Sequence, residues 1–142
     1  MKAAPEVSKE RTDNARVLLV EDDPALGMVT VEVLHQLGYR VDWSSSADEA
    51  QSALARDESF DVMILDLGLG QSHGVELIDA IRTHGYRIPP IVIFSAQPVD
   101  SLRHAAVATA AVAILQKPCS ASQLEHRVQT ALRSAAPSGV HA

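Results

Sequence analysis

Short apolar segments alternate along the chain with longer segments in which apolar residues recur at helical spacing. The first apolar segment, RVLLV at residues 16–20, lacks the polar alternation of a half-exposed strand. An unbroken apolar run of this length is typical of a strand that is buried on both faces of a parallel sheet. The pattern predicts five strands, at residues 16–20, 39–44, 61–65, 91–94 and 112–115.

A predicted helix follows each predicted strand. Pro24 suits the first turn of the first helix, and Gly38 ends that helix. The residues of this helix expected to face the sheet are Leu26, Val29, Val33 and Leu37. Further helices are predicted at residues 47–56, from 74 onwards, at 99–109, and in the segment that carries Leu124, Val128, Ala131 and Leu132. Five such strand and helix pairs predict an α/β fold with a doubly wound parallel sheet.

The two ends of the chain differ in character from the middle. Residues 1–15 are polar and charged without periodicity, and residues 134–142 are small and contain proline and glycine, so both are predicted to be flexible tails. The folded domain is expected at residues 16–133. A chain of 142 residues has room for one domain of ordinary size, and we therefore expect no separate output domain.

Composition narrows the classes of function. Twelve basic and eighteen acidic residues leave a formal charge of −6, which disfavours direct binding to nucleic acid. The longest apolar-rich stretch, residues 105–115, is far shorter than the roughly 20 residues of a membrane-spanning helix. The first residues lack the apolar core of a secretory signal. The one cysteine, Cys119, cannot form an internal disulfide and is interpreted as a structural thiol. We expect a cytoplasmic protein.

Polar residues collect where the predicted strands end. Glu21, Asp22 and Asp23 follow the first strand, Asp66 the third, Ser95 the fourth, and Gln116 and Lys117 the fifth. In a doubly wound parallel sheet these ends share one edge, where ligands bind. For a strand order of 2-1-3-4-5 the first and third strands are neighbours. The acidic residues after the first strand are then expected beside Asp66.

Carboxylates this close repel one another, and a cation among them relieves the repulsion. Mg²⁺ suits the site because it prefers a few carboxylate oxygens, retained waters and a substrate phosphate. With the charge neutralised, the Asp66 carboxylate can attack phosphorus and form an aspartyl phosphate. Lys117 and the Ser95 hydroxyl would then contact the phosphoryl oxygens. Asp23 is better explained as a cap of the first helix.

Four stretches, VLLVEDDP, DVMILDLGLG, VIFSA and ILQKP, resemble in sequence and order the signature stretches of response-regulator receiver domains. The resemblance covers residues 16–133 and implies a flavodoxin-like fold with the strand order 2-1-3-4-5. It implies that Glu21 and Asp22 are metal-site acids, Asp66 the phosphoryl acceptor, Ser95 the switch hydroxyl and Lys117 the phosphate-binding lysine. It also implies a backbone carbonyl ligand from Gly68 and a cis peptide bond between Lys117 and Pro118.

The resemblance predicts a switch in a two-component or phosphorelay system, not a conventional enzyme. Its partners would be a histidine kinase or a histidine phosphotransfer protein and a downstream protein target, with the chain itself a monomer or a weak dimer. In the family the position three before the lysine is commonly aromatic, whereas here it is Ile114. That departure leaves the transmission of the signal open. The glycine-rich loop around Gly70 also departs from the family and is predicted to be mobile.

Two other functions stay open on the sequence. The first is a scaffold of the same fold that works without phosphorylation; the departures at Ile114 and Gly70 favour it mildly, and retention of the site residues argues against it. The second is a phosphatase with an aspartyl intermediate. Such enzymes typically carry a second acid two residues after the nucleophile, where this chain has Gly68.

Overall fold

Five parallel strands form one sheet in the computed structural model, which describes residues 15–67 and 71–140. The strand order is β2-β1-β3-β4-β5, so the predicted fold class and order are confirmed. Each end of each observed strand lies within one residue of its predicted position. The strands are β1 (Arg16–Val20), β2 (Arg40–Ser44), β3 (Val62–Asp66), β4 (Ile91–Ser95) and β5 (Ala113–Gln116).

Five α-helices connect and follow the strands in the described part of the chain. They are α1 (Pro24–Gln36), α2 (Ala47–Arg56), α3 (Gln71–His84), α4 (Arg103–Thr109) and α5 (Ala121–Val140), with a short 3₁₀ helix, Val99–Leu102, before α4. Successive strand residues point to opposite faces, so two apolar clusters form. One contains Leu18, Met63 and Ile78 and lies under α2, α3 and α4, and the other contains Leu19, Ile64 and Leu34 and lies under α1 and α5.

The face that α1 turns toward the sheet differs in part from the prediction. Gly27, Thr30 and Leu34 are buried, whereas Val29 is 59% exposed. Of the predicted stripe, Val33 and Leu37 do pack against the apolar cluster under α1 and α5, whereas Leu26 and Val29, together with Val33, line a groove between the two helices. The helix presents its small residues to the sheet because the ring of Trp43 occupies the space beside Gly27. Hydrophobic spacing alone could not reveal that a glycine marks the closest approach.

The last helix is longer than the sequence pattern indicates. Residues 134–142 were expected to form a tail, but α5 continues to Val140. Residues 134–136 are serine and two alanines, and alanine has the highest helix propensity, which favours continuation of the helix past residue 133. The helix α3 likewise begins at Gln71, three residues before the predicted Gly74.

Local sequence sets the beginning and end of α1. The Asp23 carboxylate accepts hydrogen bonds from the backbone N–H groups of Ala25 (3.0 Å) and Leu26 (3.2 Å), which confirms its role as an N-cap. Gly38 follows the helix with φ of +98°, a conformation that favours glycine. The helix therefore begins directly after Glu21 and Asp22, which follow β1. No helix within residues 15–67 and 71–140 has the length and apolar character needed to cross a bilayer.

Candidate functional site

The carboxyl ends of β1, β3 and β4 lie side by side and bring the candidate site residues to one edge of the sheet. Val20 pairs with Leu65 across β1 and β3, and Asp66 pairs with Phe94 across β3 and β4. Glu21 follows Val20, and Ser95 follows Phe94. This register places Glu21 level with Asp66 and Ser95 one residue beyond the Asp66–Phe94 pair, so the three residues lie at the same edge of the sheet.

Glu21 is held through its backbone as well as its side chain. Its N–H donates to the Ser44 carbonyl (3.0 Å), and its carbonyl accepts a hydrogen bond from Trp43 Nε1 (2.9 Å). Its Oε2 accepts from the Asp23 N–H (3.1 Å). The residue has no exposed surface. Glu21 is thus fixed by β2 on one side and by the start of α1 on the other.

Lys117 joins the two buried carboxylates. Its Nζ donates to Asp66 Oδ1 (2.8 Å) and to Glu21 Oε1 (3.2 Å), and it lies 5.0 Å from the centroid of the Phe94 ring. Lysine reaches Asp66 from the end of β5 by passing over Phe94, which belongs to the intervening strand. The peptide bond between Lys117 and Pro118 is cis, as the family resemblance implies.

The electrostatics of the site follow from burial of like charges. Burial and a hydrogen bond with Asp66 raise the pKa of Glu21 to about 7. Burial by itself would lower the pKa of Lys117, but the hydrogen bond and the charge of Asp66, together with those of Glu21, outweigh it and raise that pKa. Lys117 is therefore a cation at neutral pH and offsets part of the negative charge.

Three carboxylates are placed to share a cation. Glu21, Asp22 and Asp66 each offer an oxygen within 4.8 Å of the others, and they form the acidic group with this geometry among the described residues. Glu21 and Asp66 are buried, whereas Asp22 is exposed and lies on the solvent side. Oxygen donors of this type suit a hard divalent cation that keeps several waters. The residues present therefore fit Mg²⁺.

Ser95 ends β4 and is buried, at 2% exposure. Its Oγ accepts a hydrogen bond from the Gln97 N–H (3.1 Å), and its carbonyl accepts one from the Lys117 N–H (2.8 Å). The backbone of Lys117 is therefore tied to the end of the strand that carries the hydroxyl. A hydroxyl in this position is available as a donor for an anion bound above Asp66.

The structure thus brings Glu21, Asp22, Asp66 and Lys117 into one cluster and places Ser95 at the neighbouring strand end. The predicted carbonyl ligand Gly68 and the loop residue Gly70 lie outside the described residues. The hydrogen bond from Trp43 to the carbonyl of Glu21 was not predicted from the sequence. The one available signal was its position near the end of the strand next to β1.

Cys119 lies close to the site but has the environment of a structural thiol. The residue is partly buried beside Pro118 and Leu124 in the groove between α1 and α5. Burial raises the pKa of its thiol, which disfavours the reactive thiolate. The described environment agrees with the structural interpretation of this cysteine.

Comparison with known proteins agrees with this geometry. Residues 17–129 match the sequence profile of the response regulator receiver domain. The response regulator protein PmrA of Pseudomonas aeruginosa is 32% identical over 118 residues, which are 83% of this chain and 52% of that protein. The alginate biosynthesis transcriptional regulatory protein AlgB of the same organism is 35% identical over 109 residues, 77% of this chain and 24% of that protein. The chain spans about half the length, or less, of these relatives.

Solved structures show the same fold. The chemotaxis protein CheY4 of Vibrio cholerae is 26% identical with a TM-score of 0.74, over 83% of this chain and 98% of that one. A response regulator receiver protein from Burkholderia phymatum is 28% identical with a TM-score of 0.70, over 84% of this chain and 95% of that one.

Proposed function

Because the chain belongs to the response regulator receiver domain family, a family of two-component signalling switches, we propose that it accepts a phosphoryl group on Asp66. The donor is the phosphohistidine of a histidine kinase or of a histidine phosphotransfer protein, and the output is a protein contact. One observation carries the proposal: Lys117 Nζ lies 2.8 Å from Asp66 Oδ1, beside a cluster of three carboxylates.

The transfer moves phosphorus from nitrogen to oxygen. A carboxylate oxygen of Asp66 attacks phosphorus, the P–N bond breaks, and its electron pair remains on the donor imidazole as the new P–O bond forms. Lys117 turns its ammonium group from Asp66 to the phosphoryl oxygens, where it stabilises their charge. The Ser95 hydroxyl, whose oxygen accepts a hydrogen bond from the Gln97 N–H, donates its O–H to a phosphoryl oxygen.

Glu21, Asp22 and Asp66 are the side chains that would hold Mg²⁺, and the family resemblance adds the carbonyl of Gly68. When bound, the cation supplies positive charge that offsets the repulsion between the carboxylates and the incoming phosphoryl group. The fit rests on the chemistry of the donors, since Glu21 and Asp66 are buried and three oxygens converge. Without a divalent cation, Lys117 offsets part of the negative charge of Glu21 and Asp66, both of which its Nζ contacts.

Ile114 supports a second candidate, a scaffold of the same fold that binds its partner without phosphorylation. Ile114 lies in β5, is partly buried, and packs against the cluster under α2, α3 and α4. The aliphatic side chain of Ile114 has no polar group that could form a hydrogen bond when Ser95 binds a phosphoryl oxygen. The scaffold would bind its target equally well with and without a phosphoryl group.

Phosphorylation with a small-molecule donor tests the proposal. The protein is incubated with acetyl phosphate and Mg²⁺, and intact-mass spectrometry follows a labile phosphoryl adduct. We expect the adduct in the wild type and its loss in Asp66→Asn. The matched control is Asp61→Asn, near the opposite end of β3, where the carboxylate accepts a hydrogen bond from the Arg16 N–H; this variant is expected to be phosphorylated.

The outcomes separate the candidates. If the wild-type protein forms no adduct and also binds beryllofluoride poorly, the scaffold is favoured. Sustained turnover of unrelated phosphate esters would instead favour a phosphatase. Binding of the cation is measured separately, through the stability of the folded protein. Mg²⁺ at about 100 times its dissociation constant is expected to stabilise the folded protein by about 2.7 kcal/mol.

A further inference from the structure

Trp43 connects β2 to the peptide group between Glu21 and Asp22. Its indole Nε1 donates a hydrogen bond of 2.9 Å to the carbonyl oxygen of Glu21. That oxygen belongs to the peptide plane that joins the two acids, so the hydrogen bond restrains rotation of the plane. The N–H of Glu21 is held from the same strand by the Ser44 carbonyl at 3.0 Å. The end of β2 therefore forms hydrogen bonds with both the N–H and the carbonyl of Glu21.

Gly27 in α1 holds the indole ring in place. A Cβ atom at Gly27 would lie 2.0 Å from Cζ2 and 2.4 Å from Cε2 of Trp43, distances at which the ring would have to move. The glycine therefore creates the space that the ring fills, and the helix backbone closes that side of the ring. Trp43 also packs against the apolar cluster that contains Leu19 and Tyr39. The ring is partly exposed, and its contacts with Gly27 and with this cluster limit how far Nε1 can move from the carbonyl.

We propose that Trp43 is a positioning residue for the cation site, which it serves by fixing the direction of the Glu21 and Asp22 side chains. The inference rests on the proposed function, since it assumes that these acids hold Mg²⁺. Asp22 is exposed, so its own surroundings restrain it little, and the peptide plane that Trp43 holds is what aims it toward Asp66. Groups that orient ligands without touching the metal typically change its affinity by about 10–100-fold when they are removed.

The first test is Trp43→Phe, which keeps an aromatic ring but removes the hydrogen-bond donor. Titration calorimetry of the full chain with MgCl₂ measures the dissociation constant directly, without any phosphorylation. We expect the dissociation constant of the variant to be about tenfold higher than that of the wild type. An unchanged constant would overturn the inference.

The matched control is Tyr39→Phe. Tyr39 lies in the same apolar cluster, and its hydroxyl accepts a hydrogen bond of 3.1 Å from Gln129, away from the acidic residues. Both variants lose an aromatic polar group, so both are expected to lower the melting temperature. Only Trp43→Phe is expected to weaken Mg²⁺ binding. Equal weakening in both variants would show a merely structural role and overturn the inference.

The second test is Gly27→Ala, which displaces the ring without removing a polar group. We expect a loss of Mg²⁺ affinity similar to that of Trp43→Phe. The two substitutions combined should weaken binding by less than the product of their separate effects, because both act through the same hydrogen bond. Multiplicative effects would contradict this route. Failure of the wild type to bind Mg²⁺ would overturn the proposed function and this inference with it, whereas normal binding by Trp43→Phe would overturn the inference alone.

Discussion

Lys117, which directly follows β5, donates a hydrogen bond of 2.8 Å to Asp66 at the end of β3, although β4 lies between these two strands. The ammonium group crosses the end of β4, above the ring of Phe94, and also contacts Glu21 at 3.2 Å. A single cation thus joins residues that follow or end β1, β3 and β5. The contacts of Lys117 with these carboxylates should therefore contribute measurably to the free energy of unfolding.

Replacing Lys117 with methionine is expected to lower the free energy of unfolding of the magnesium-free protein by about 2 kcal/mol. The reason is that Glu21 and Asp66 each lose a hydrogen bond to a charged group, and one such bond is worth about 1.5–3 kcal/mol. Protonation of Glu21 in the variant offsets part of this loss. Urea denaturation in the presence of EDTA measures the change. Arg103→Met is the control, because its ion pair with Asp100 is exposed and should contribute less than about 1 kcal/mol. Equal losses in the two variants would contradict the buried pairing.

The raised pKa of Glu21 predicts a pH dependence of stability without divalent cations. Between about pH 4.5 and 7 the folded protein keeps a proton on Glu21 that the unfolded chain releases. Raising the pH through this window therefore favours the unfolded state and lowers stability. We expect Glu21→Gln, which cannot titrate, to remove this component from the pH profile of the melting temperature. A profile that is the same in both proteins would exclude the assignment.

An ion pair at the amino-terminal ends of the strands predicts a pH dependence of stability with the opposite sign. The Arg16 guanidinium is hydrogen-bonded to Asp57 and 3.0 Å from Asp42, and it lies over the ring of Phe60. The hydrogen bond from Arg16 holds the pKa of Asp57 well below its usual range, and those from Ser59 lower it further. A depressed pKa stabilises the fold at neutral pH, and this contribution declines as the pH falls below about 4.

Melting temperatures of Asp57→Asn at pH 7 and pH 3 test this pairing. We expect the variant to melt below the wild type at pH 7 and the difference to shrink at pH 3. Asp79→Asn serves as the control, because its contact with Arg82 at 3.5 Å is exposed and should leave the melting temperature almost unchanged. A difference between Asp57→Asn and wild type that does not depend on pH would count against an ionic origin.

The orientation of α1 is tested by a pair of truncations on two sides of the helix. Leu34 is fully buried, so Leu34→Ala is expected to reduce the free energy of unfolding by about 2–5 kcal/mol. Val29 is 59% exposed, and Val29→Ala should change it by less than about 0.5 kcal/mol. Chemical denaturation compares the two. A larger effect at Val29 would restore the face that the hydrophobic spacing predicted.

Much of the fold was predictable because its information is local. The buried strands are continuous apolar runs, and their ends are marked by the residues that carry the chemistry. Once five strands alternate with five helices, a parallel sheet follows, and the carboxyl ends of its strands share an edge. The proximity of Asp66 and Lys117 was inferred in this way from residues 51 positions apart, and the 2.8 Å contact agrees with it.

The sequence by itself determined the elements, their order and the edge at which the polar residues collect, since periodicity and strand ends are properties of neighbouring residues. Only the tertiary structure decided which side of α1 meets the sheet and what holds Glu21 in place. Both depend on Trp43, whose ring fills the space beside Gly27 and whose Nε1 reaches the Glu21 carbonyl. Such a relationship joins three separate segments through shape and one hydrogen bond, and no spacing along the chain encodes it.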